Sequence, residues 1–199
     1  MIMPTQTVAD EFIGYNYVKS SHNVREKGVH FFVDDYQFMR LWTNPDAYTL
    51  SLRRFKCVCT PDFSTYADFP KALQIYNHFR KHWLGAYWQQ QGIEVIPTIS
   101  WSDESSYEWC FDGEPCGGTV AVSSVGTQQN KEAKRLFLKG YNEMQNKLEP
   151  TVILFYGAVP PECSNDERII QMDAFQNRMK KRMLEAEKKR ELQSMGDAM

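Results

Sequence analysis

The chain has 199 residues, a formal net charge of -2 at pH 7 and 42% hydrophobic residues. This apolar content excludes intrinsic disorder for most of the chain, and the charge excludes a protein-wide basic field that would attract nucleic acid. No apolar run approaches the roughly 18 residues that would span a bilayer, and the N-terminus, with early acids and no continuous apolar run, lacks the pattern of a secretory signal. We expect one soluble, cytoplasmic domain.

Five runs of apolar, β-branched and aromatic residues predict strands. They lie at 29–33, 56–60, 93–101, 119–125 and 151–157. Segments of helical length separate them, and such alternation is typical of βαβ units with right-handed crossovers. The sequence therefore predicts an α/β fold with a mainly parallel five-stranded sheet. Either an open sheet or a partial barrel fits this pattern, since five strands are too few for a closed eight-stranded barrel.

Two of the intervening segments have clear helical patterns. Residues 70–92 begin at a proline and end at a glycine, as helices commonly do. Apolar side chains recur there every three or four residues and predict one buried face. This face consists of Leu73, Tyr76, Phe79, Trp83 and Tyr87. Residues 130–149 carry a second apolar stripe, which is interrupted by Gly140, and this glycine should weaken the helix slightly.

Composition divides the chain into three parts. Residues 1–27 are an N-terminal arm, residues 28–158 the α/β core domain, and residues 159–199 a charged helical C-terminal extension. An apolar stripe beside a basic stretch predicts a helix over residues 165–195. The stripe consists of Ile169, Met172, Phe175, Met179 and Met183. Such a helix either packs its Met-rich face on the domain or docks a partner protein.

Neither the cysteines nor the histidines form a recognised metal motif. The five cysteines are scattered and odd in number, so we expect reduced thiols that are mostly buried. Cys57 and Cys59 should face the same side of a strand, but the C-x-C and C-x5-C spacings are not those of common zinc sites. His78 and His82 lie one helical turn apart, without the glutamate of a zinc-protease helix.

Polar clusters follow all five predicted strands. Ligands of parallel α/β sheets bind beyond the carboxyl ends of the strands, where the loops converge. The predicted catalytic residues are Asp34, Asp35 and Asp62. The predicted ligand-binding residues are Ser64, Trp101, Ser123, Ser124, Gly126, Thr127 and Tyr156. We expect these side chains to line one concave site at this edge of the sheet.

The acids carry the predicted chemistry of this site. One of Asp34 and Asp35 is sufficient to cap the following helix, so the other is left for a second role. Placing Asp62 beside it would create a like-charge cluster, which raises one carboxyl pKa or recruits a divalent cation. Trp101 would offer a flat platform for a ring, and residues 123–127 would form an anion cradle from hydroxyls and amides.

Several motifs carry a resemblance to a known family. They are D-D-Y at 34–36, P-D-F-S at 61–64, A-L-Q-I-Y-N at 72–77 and I-P-x-x-x-W at 96–101. Together they resemble the core of an uncharacterised domain-of-unknown-function family found in bacteriophages and mobile genetic elements, over about Val29 to Gly157. The resemblance implies a phage or mobile-element protein in the cytoplasm of a bacterial host, and it implies no activity.

Two classes of function stay open. The first is an enzyme, with metal-assisted hydrolysis of a phosphorylated or nucleotide-like ligand as its reaction. The second is a non-catalytic binder that sequesters a small anionic ligand or docks a host or phage protein through the C-terminal helix. The acid cluster favours the enzyme, because a protein that sequesters anions would place Lys and Arg in its pocket.

Overall fold

The computed structural model describes residues 1–172, which form an α/β protein. The strands in this part of the chain are β1 (Glu11–Gly14), β2 (Lys27–His30), β3 (Cys57–Cys59), β4 (Val95–Ile96), β5 (Thr119–Ser123), β6 (Val152–Tyr156) and β7 (Ile169–Met172). The α-helices are α1 (Asp35–Phe38), α2 (Arg40–Thr43), α3 (Asp46–Leu52), α4 (Lys71–Gln90) and α5 (Lys131–Leu148). Within this part of the chain, no helix combines the length and apolar character needed to cross a membrane.

The strands form two parallel sheets rather than the single five-stranded sheet that the sequence predicts. The first sheet has the order β1-β2-β3-β4 and the second has the order β5-β6-β7. All strand pairs are parallel, as predicted. A single parallel bridge between Thr98 and Ala121 joins the two sheets. The five predicted runs are all present as strands, so the parallel α/β class is confirmed. The prediction of one five-stranded sheet is wrong, because the strands divide into two sheets and include β1 and β7, which the prediction lacked.

The two additional strands lie where sequence periodicity is ambiguous. β1 has only four residues and ends in glycine, so it gives no apolar run. β7 contains Ile169 and Met172, which the prediction placed on a helix. Their spacing of three residues fits a helix, and a strand of four residues is too short to show a clear two-residue alternation. The helical prediction is wrong for Ile169–Met172. Its remaining stripe residues, Phe175, Met179 and Met183, lie outside the described residues, and no C-terminal helical extension is shown.

Alternating side chains divide the core into an inner and an outer layer, as the two-residue period of a strand requires. The inner cluster takes side chains from both sheets, including Phe12, Cys57, Cys59, Ile96, Ala121, Leu154 and Met172. Across this cluster the ring of His30 on β2 lies 4.7 Å from that of Tyr156 on β6. Side chains of β2 and β6, one from each sheet, therefore meet in this inner cluster.

The helices cover the outer faces of the sheets. Val29, Val58 and Val95 of the first sheet pack beneath α1 to α4, in a cluster that also contains Phe38, Leu41, Leu52, Leu84 and Trp88. The outer side chains of the second sheet pack against α5, in a cluster that contains Val120, Val122, Ile153, Phe155, Phe137, Tyr141, Met144 and Leu148. The loops beyond the carboxyl ends of the strands are thereby left together at one end of the molecule.

α4 buries a different face from the one that its aromatic stripe predicts. Leu73, Tyr76, Phe79 and Trp83 are exposed, with Phe79 at 52%. The buried residues are instead Gln74, Asn77, Arg80, Lys81, Leu84, Gly85 and Trp88. Both sets recur every three or four residues, so periodicity alone does not distinguish them. The first half of α4 therefore turns polar side chains toward the strand ends.

α5 is closely packed where its sequence contains a glycine. An ideal Cβ on Gly140 would overlap with Nε1 and Cδ1 of the Trp101 indole. The indole also lies against the ring of Phe137, with centroids 5.5 Å apart. Gly140 therefore provides the space in which the Trp101 indole packs against the helix.

Replacing the same residue type on the two faces of α4 tests the observed orientation. Leu84→Ala should lower the free energy of unfolding by about 2–5 kcal/mol, because it empties a fully buried site. Leu73→Ala should lower it by less than about 0.5 kcal/mol, because Leu73 is exposed. Urea denaturation of both variants measures the difference. Equal losses, or a larger loss for Leu73→Ala, would contradict this orientation of α4.

Gly140→Ala tests the packing of Trp101. Helix propensity alone predicts a stabilisation of about 1 kcal/mol. The contact with Trp101 should reverse this sign and destabilise the protein by about 1–3 kcal/mol, as overpacking does. Thermal and urea unfolding provide the measurement. Asn146→Ala, at an exposed position of the same helix, is the control and should be neutral or slightly stabilising.

Candidate functional site

The ends of β2 and β3 are joined by a contact between two predicted site residues. Asp35 is the first residue of α1, directly after the chain leaves β2. Its Oδ1 accepts a hydrogen bond of 2.9 Å from the Ser64 hydroxyl, and the Ser64 amide donates to its carboxylate at 3.2 Å. Asp34 is exposed at the position before α1 and makes no side-chain cap. Asp35 is thus the member of the acid pair that contacts the β3 loop.

Asp62 lies two residues before Ser64 and is electrostatically coupled to Asp35. Burial raises the pKa of Asp62 to about 7, and the charge of Asp35 adds to this rise, whereas Lys81 opposes it. Near neutral pH, the carboxyl of Asp62 can both hold and release a proton.

Polar side chains of α4 complete the surroundings of these acids. Asn77 Nδ2 donates to the Ser64 carbonyl at 2.6 Å, and Arg80 Nη2 donates to Asn77 Oδ1 at 2.5 Å. The Arg80 guanidinium lies over the Phe63 ring, 3.9 Å from its centroid. The buried face of α4 therefore holds the loop that carries Asp62 and Ser64.

Lys81 continues this polar face into the interior. Its side chain is only 2% exposed, and its Nζ donates to the Thr98 carbonyl at 2.9 Å. The same Nζ lies 2.6 Å from Oε1 of Glu114, whose side chain is fully buried. Burial alone would raise the pKa of Glu114, but Lys81 and His82 outweigh it and hold the pKa at about 2. Glu114 is therefore ionised and balances the buried ammonium.

Two histidines of α4 lie beside Glu114. His82 Nε2 is 3.3 Å from Glu114 Oε1, and the rings of His78 and His82 have centroids 4.2 Å apart. One ligand atom from each of these three residues lies within 4.8 Å of the others. Burial, followed by the charges of Lys81 and His82, lowers the pKa of His78 to about 3, so this imidazole is neutral. Two imidazoles and one carboxylate are a ligand set that metal ions accept.

The predicted ring-binding and anion-binding residues lie around the end of the second sheet. Tyr156 ends β6 and is buried, and its ring stacks on Phe32 with centroids 4.8 Å apart. The Ser124 hydroxyl donates to the Ala158 carbonyl at 2.6 Å, and the Thr127 hydroxyl donates to the Ser124 carbonyl at 2.8 Å. These hydroxyl hydrogens hold the turn after β5 in shape.

The rest of that turn and Trp101 are also held by local contacts. The Val125 amide donates to Ser123 Oγ at 3.2 Å, and Gly126 has a φ of 80°, in the left-handed region that glycine favours. Trp101 is half-buried between the second sheet and α5. An anion cradle at 123–127 and a ring platform at Trp101 stay predictions. Only the exposed parts of these residues could contact a ligand.

The structure thus brings Asp35, Asp62 and Ser64 together and adds residues that sequence reasoning missed. Those residues are Asn77, Arg80, Lys81, Glu114, His30 and Phe32. A signal for the α4 residues exists in the spacing of residues 74, 77, 81, 84 and 88, which mixes polar and apolar types on one face. Glu114 has no such signal, because it belongs to an irregular loop far along the chain from His82.

Comparisons with known proteins agree with the predicted family resemblance. The model of a family described as a domain of unknown function, DUF4417, matches residues 1–174. The "Gene 1 protein" of Mycobacterium phage L5 is 38% identical over 158 residues, which cover 78% of this chain and 69% of the relative. The "Gene 1 protein" of Mycobacterium phage D29 is 37% identical over 158 residues, which cover 78% of this chain and 58% of the relative.

The chain thus spans less than two thirds of the D29 protein. A comparison with solved structures gave no significant match. The predicted resemblance to an uncharacterised phage family is confirmed. The chain belongs to the family described as domain of unknown function DUF4417, and both of these relatives are bacteriophage proteins.

Proposed function

We propose that this phage protein is a hydrolase acting on a phosphorylated, nucleotide-like ligand at the carboxyl ends of its strands, with Asp62 as general acid and Asp35 as the neighbouring acid of the site. The observation that carries the proposal is the meeting of Asp35 with the Asp62–Ser64 segment across the ends of β2 and β3. Polar groups that converge there are typical of active sites in parallel α/β proteins.

The pKa of Asp62 supports its role as general acid. Asp62 titrates near pH 7, the range in which a general acid is most effective. Asp35 accepts two hydrogen bonds from Ser64, which hold its carboxylate beside the loop that carries Asp62. Neighbouring carboxyls of this kind are a recurrent arrangement in acid–base catalysis.

The proposed step is the hydrolysis of a phosphate ester. A water oxygen forms a bond to phosphorus while the bond from phosphorus to the leaving oxygen breaks. Protonated Asp62 gives its proton to the leaving oxygen, and a proton of the attacking water then returns to Asp62, so the enzyme is restored. The buried Arg80 guanidinium lies over Phe63, the residue next to Asp62, and would offset the negative charge of the ligand.

Aromatic side chains near the strand ends support a ligand that carries a ring. Phe32 and Tyr156 stack across the inner cluster, and His30 lies 5.5 Å from Phe32, centroid to centroid. Phe32 is half-buried, so it is partly accessible to a ligand. Flat apolar surfaces of this kind bind nucleobases by stacking.

The titration of Asp62 predicts how stability depends on pH. The folded carboxyl, with a pKa near 7, keeps a proton that the unfolded carboxyl releases at its ordinary value of 3.8. This contribution to stability is complete below about pH 4 and is lost as the pH rises to about 7. Asp62→Asn should remove that loss, because the amide resembles the protonated acid.

Urea denaturation at a series of pH values from 4 to 8 measures this effect. Asp68→Asn, a change of the same type at an exposed position in the same loop, is the control and should follow the wild-type curve. Parallel curves for the wild type and Asp62→Asn over this range would contradict a raised pKa at Asp62.

Hydrolysis of p-nitrophenyl phosphate and of nucleoside triphosphates by the full chain tests the proposed activity. We expect turnover that declines as the pH rises above about 7, because only protonated Asp62 can donate. Asp62→Asn should lower the rate by about 10²–10⁴-fold, the usual contribution of a general acid. Asp68→Asn should leave the rate unchanged.

Other outcomes would separate the remaining alternatives. Turnover that requires Mg²⁺ and stops with EDTA would indicate metal-assisted hydrolysis rather than acid catalysis without a metal ion. A rise in melting temperature with nucleotides, without turnover in any condition, would support a non-catalytic binder. If the chain shows no turnover and nucleotides do not shift its melting temperature, the proposal of a nucleotide-like ligand fails.

A further inference from the structure

A second constellation of polar side chains lies apart from the two acids, on the side of α4 that faces the loop before β5. It consists of His78, His82 and Glu114. Neither the proposed hydrolysis nor the packing of the core requires a pair of imidazoles at this place. Glu114 is fully buried, and its Oε2 has no hydrogen-bond partner among the described residues. A buried carboxylate oxygen without a partner is costly, so this arrangement requires a cause.

The hydrogen bonds of the two histidines fix which nitrogen of each ring carries the hydrogen. His82 Nδ1 lies 3.0 Å from the His78 carbonyl, and His78 Nε2 lies 3.0 Å from the Asp112 carbonyl. A carbonyl oxygen only accepts, so each of these nitrogens is the donor. The other nitrogen of each ring is then the one that can offer a lone pair to a metal ion. A histidine that donates one ring N–H to a backbone carbonyl is the usual form of a metal ligand.

His82 Nε2 lies beside a negative group. Nε2 makes no hydrogen bond among the described residues, yet it lies 3.3 Å from Glu114 Oε1. Two acceptors at this distance repel each other unless a cation or a proton lies between them. Ligand atoms about 2.0–2.1 Å from a tetrahedral zinc ion are roughly 3.4 Å apart. The observed separation therefore already suits a shared metal ion.

Lys81 is compatible with a metal ion at this position. Its ammonium forms an ion pair with Oε1 of Glu114 and donates to the Thr98 carbonyl. The carboxylate keeps a second lone pair on Oε1, and its Oε2 has no hydrogen-bond partner among the described residues, so either oxygen can bind a metal ion. Metal-binding carboxylates are commonly held by a second polar partner, which Lys81 provides here. The loop also approaches closely, since an ideal Cβ on Gly113 would lie 3.4 Å from His82 Cδ2. Gly113, with a φ of 75°, lets the loop pass over the imidazole.

We propose that His78, His82 and Glu114 form a binding site for one zinc-class transition-metal ion, with Lys81 positioning the carboxylate. The ligand set of two imidazoles and one carboxylate leaves a fourth position for water, as in zinc sites that are not purely structural. The two histidines have i, i+4 spacing on one helix, and the carboxylate comes from a separate loop. The site is distinct from Asp35 and Asp62, and it does not depend on the proposed hydrolysis.

Metal titration of the full chain tests this site with the metal alone as the probe. Protein stripped with EDTA should bind one equivalent of Zn²⁺ by calorimetry. It should bind Co²⁺ with visible absorption typical of tetrahedral nitrogen and oxygen ligands, without a thiolate charge-transfer band. His78→Gln and His82→Gln should each weaken binding at least tenfold. His22→Gln, at an exposed position, and Cys116→Ser should bind as the wild type does.

The opposing explanation is a structural ion pair between protonated His82 and Glu114. It predicts no stoichiometric metal binding and a lower melting temperature for His82→Gln in EDTA. Absence of Zn²⁺ and Co²⁺ binding by the wild type would overturn the proposal. So would a metal affinity of both histidine variants equal to that of the wild type. His78→Gln keeps the Glu114–Lys81 pair, so it should stay folded and retain its EDTA melting temperature while losing the rise that Zn²⁺ gives to the wild type.

Discussion

The burial of one positive charge, that of Lys81, constrains much of the structure around it. An ammonium group that leaves water without partners costs many kcal/mol, so the fold has to provide a negative charge and an acceptor at the same place. Glu114 provides the charge and the Thr98 carbonyl the acceptor. Thr98 also pairs with Ala121 at the bridge between the two sheets. The charge on α4 is thereby tied to the point where the sheets meet.

This constraint also explains why α4 is turned as it is. The apolar stripe of the helix would suit a buried face, but Lys81 can be satisfied only beneath the helix, where Thr98 and Glu114 lie. Gln74 follows the same rule, since it donates to the Phe69 carbonyl and accepts a bond from the Ser102 hydroxyl. The hydrogen bonds of these polar side chains hold the loops after β3 and β4. The C-terminal half of α4 supplies apolar packing through Leu84 and Trp88.

The sequence predicted the parts of the fold in which the pattern of apolar residues fits only one type of element. Long runs such as 119–125 and 151–157 are buried on both sides, so their strands follow from composition alone, and the parallel pairing follows from the helices between them. β1 and β7 depend on neighbours to become strands, because four residues carry too little periodicity. The face of α4 could not be predicted, since it is decided by partners in distant loops rather than by the hydrophobicity of the helix.

The candidate site divides in the same way. Asp35, Asp62 and Ser64 follow strands, and topology alone places the ends of neighbouring parallel strands together, so their meeting could be expected from the sequence. Glu114 comes from an irregular loop, and only the folded chain brings it to His78 and His82. Those histidines gave a weak signal, because an i, i+4 pair without an acid on the same helix has many structural explanations. What changes their meaning is a fully buried carboxylate oxygen with no hydrogen-bond partner in the part of the chain that the structure describes, a property of the fold that no spacing in the sequence encodes.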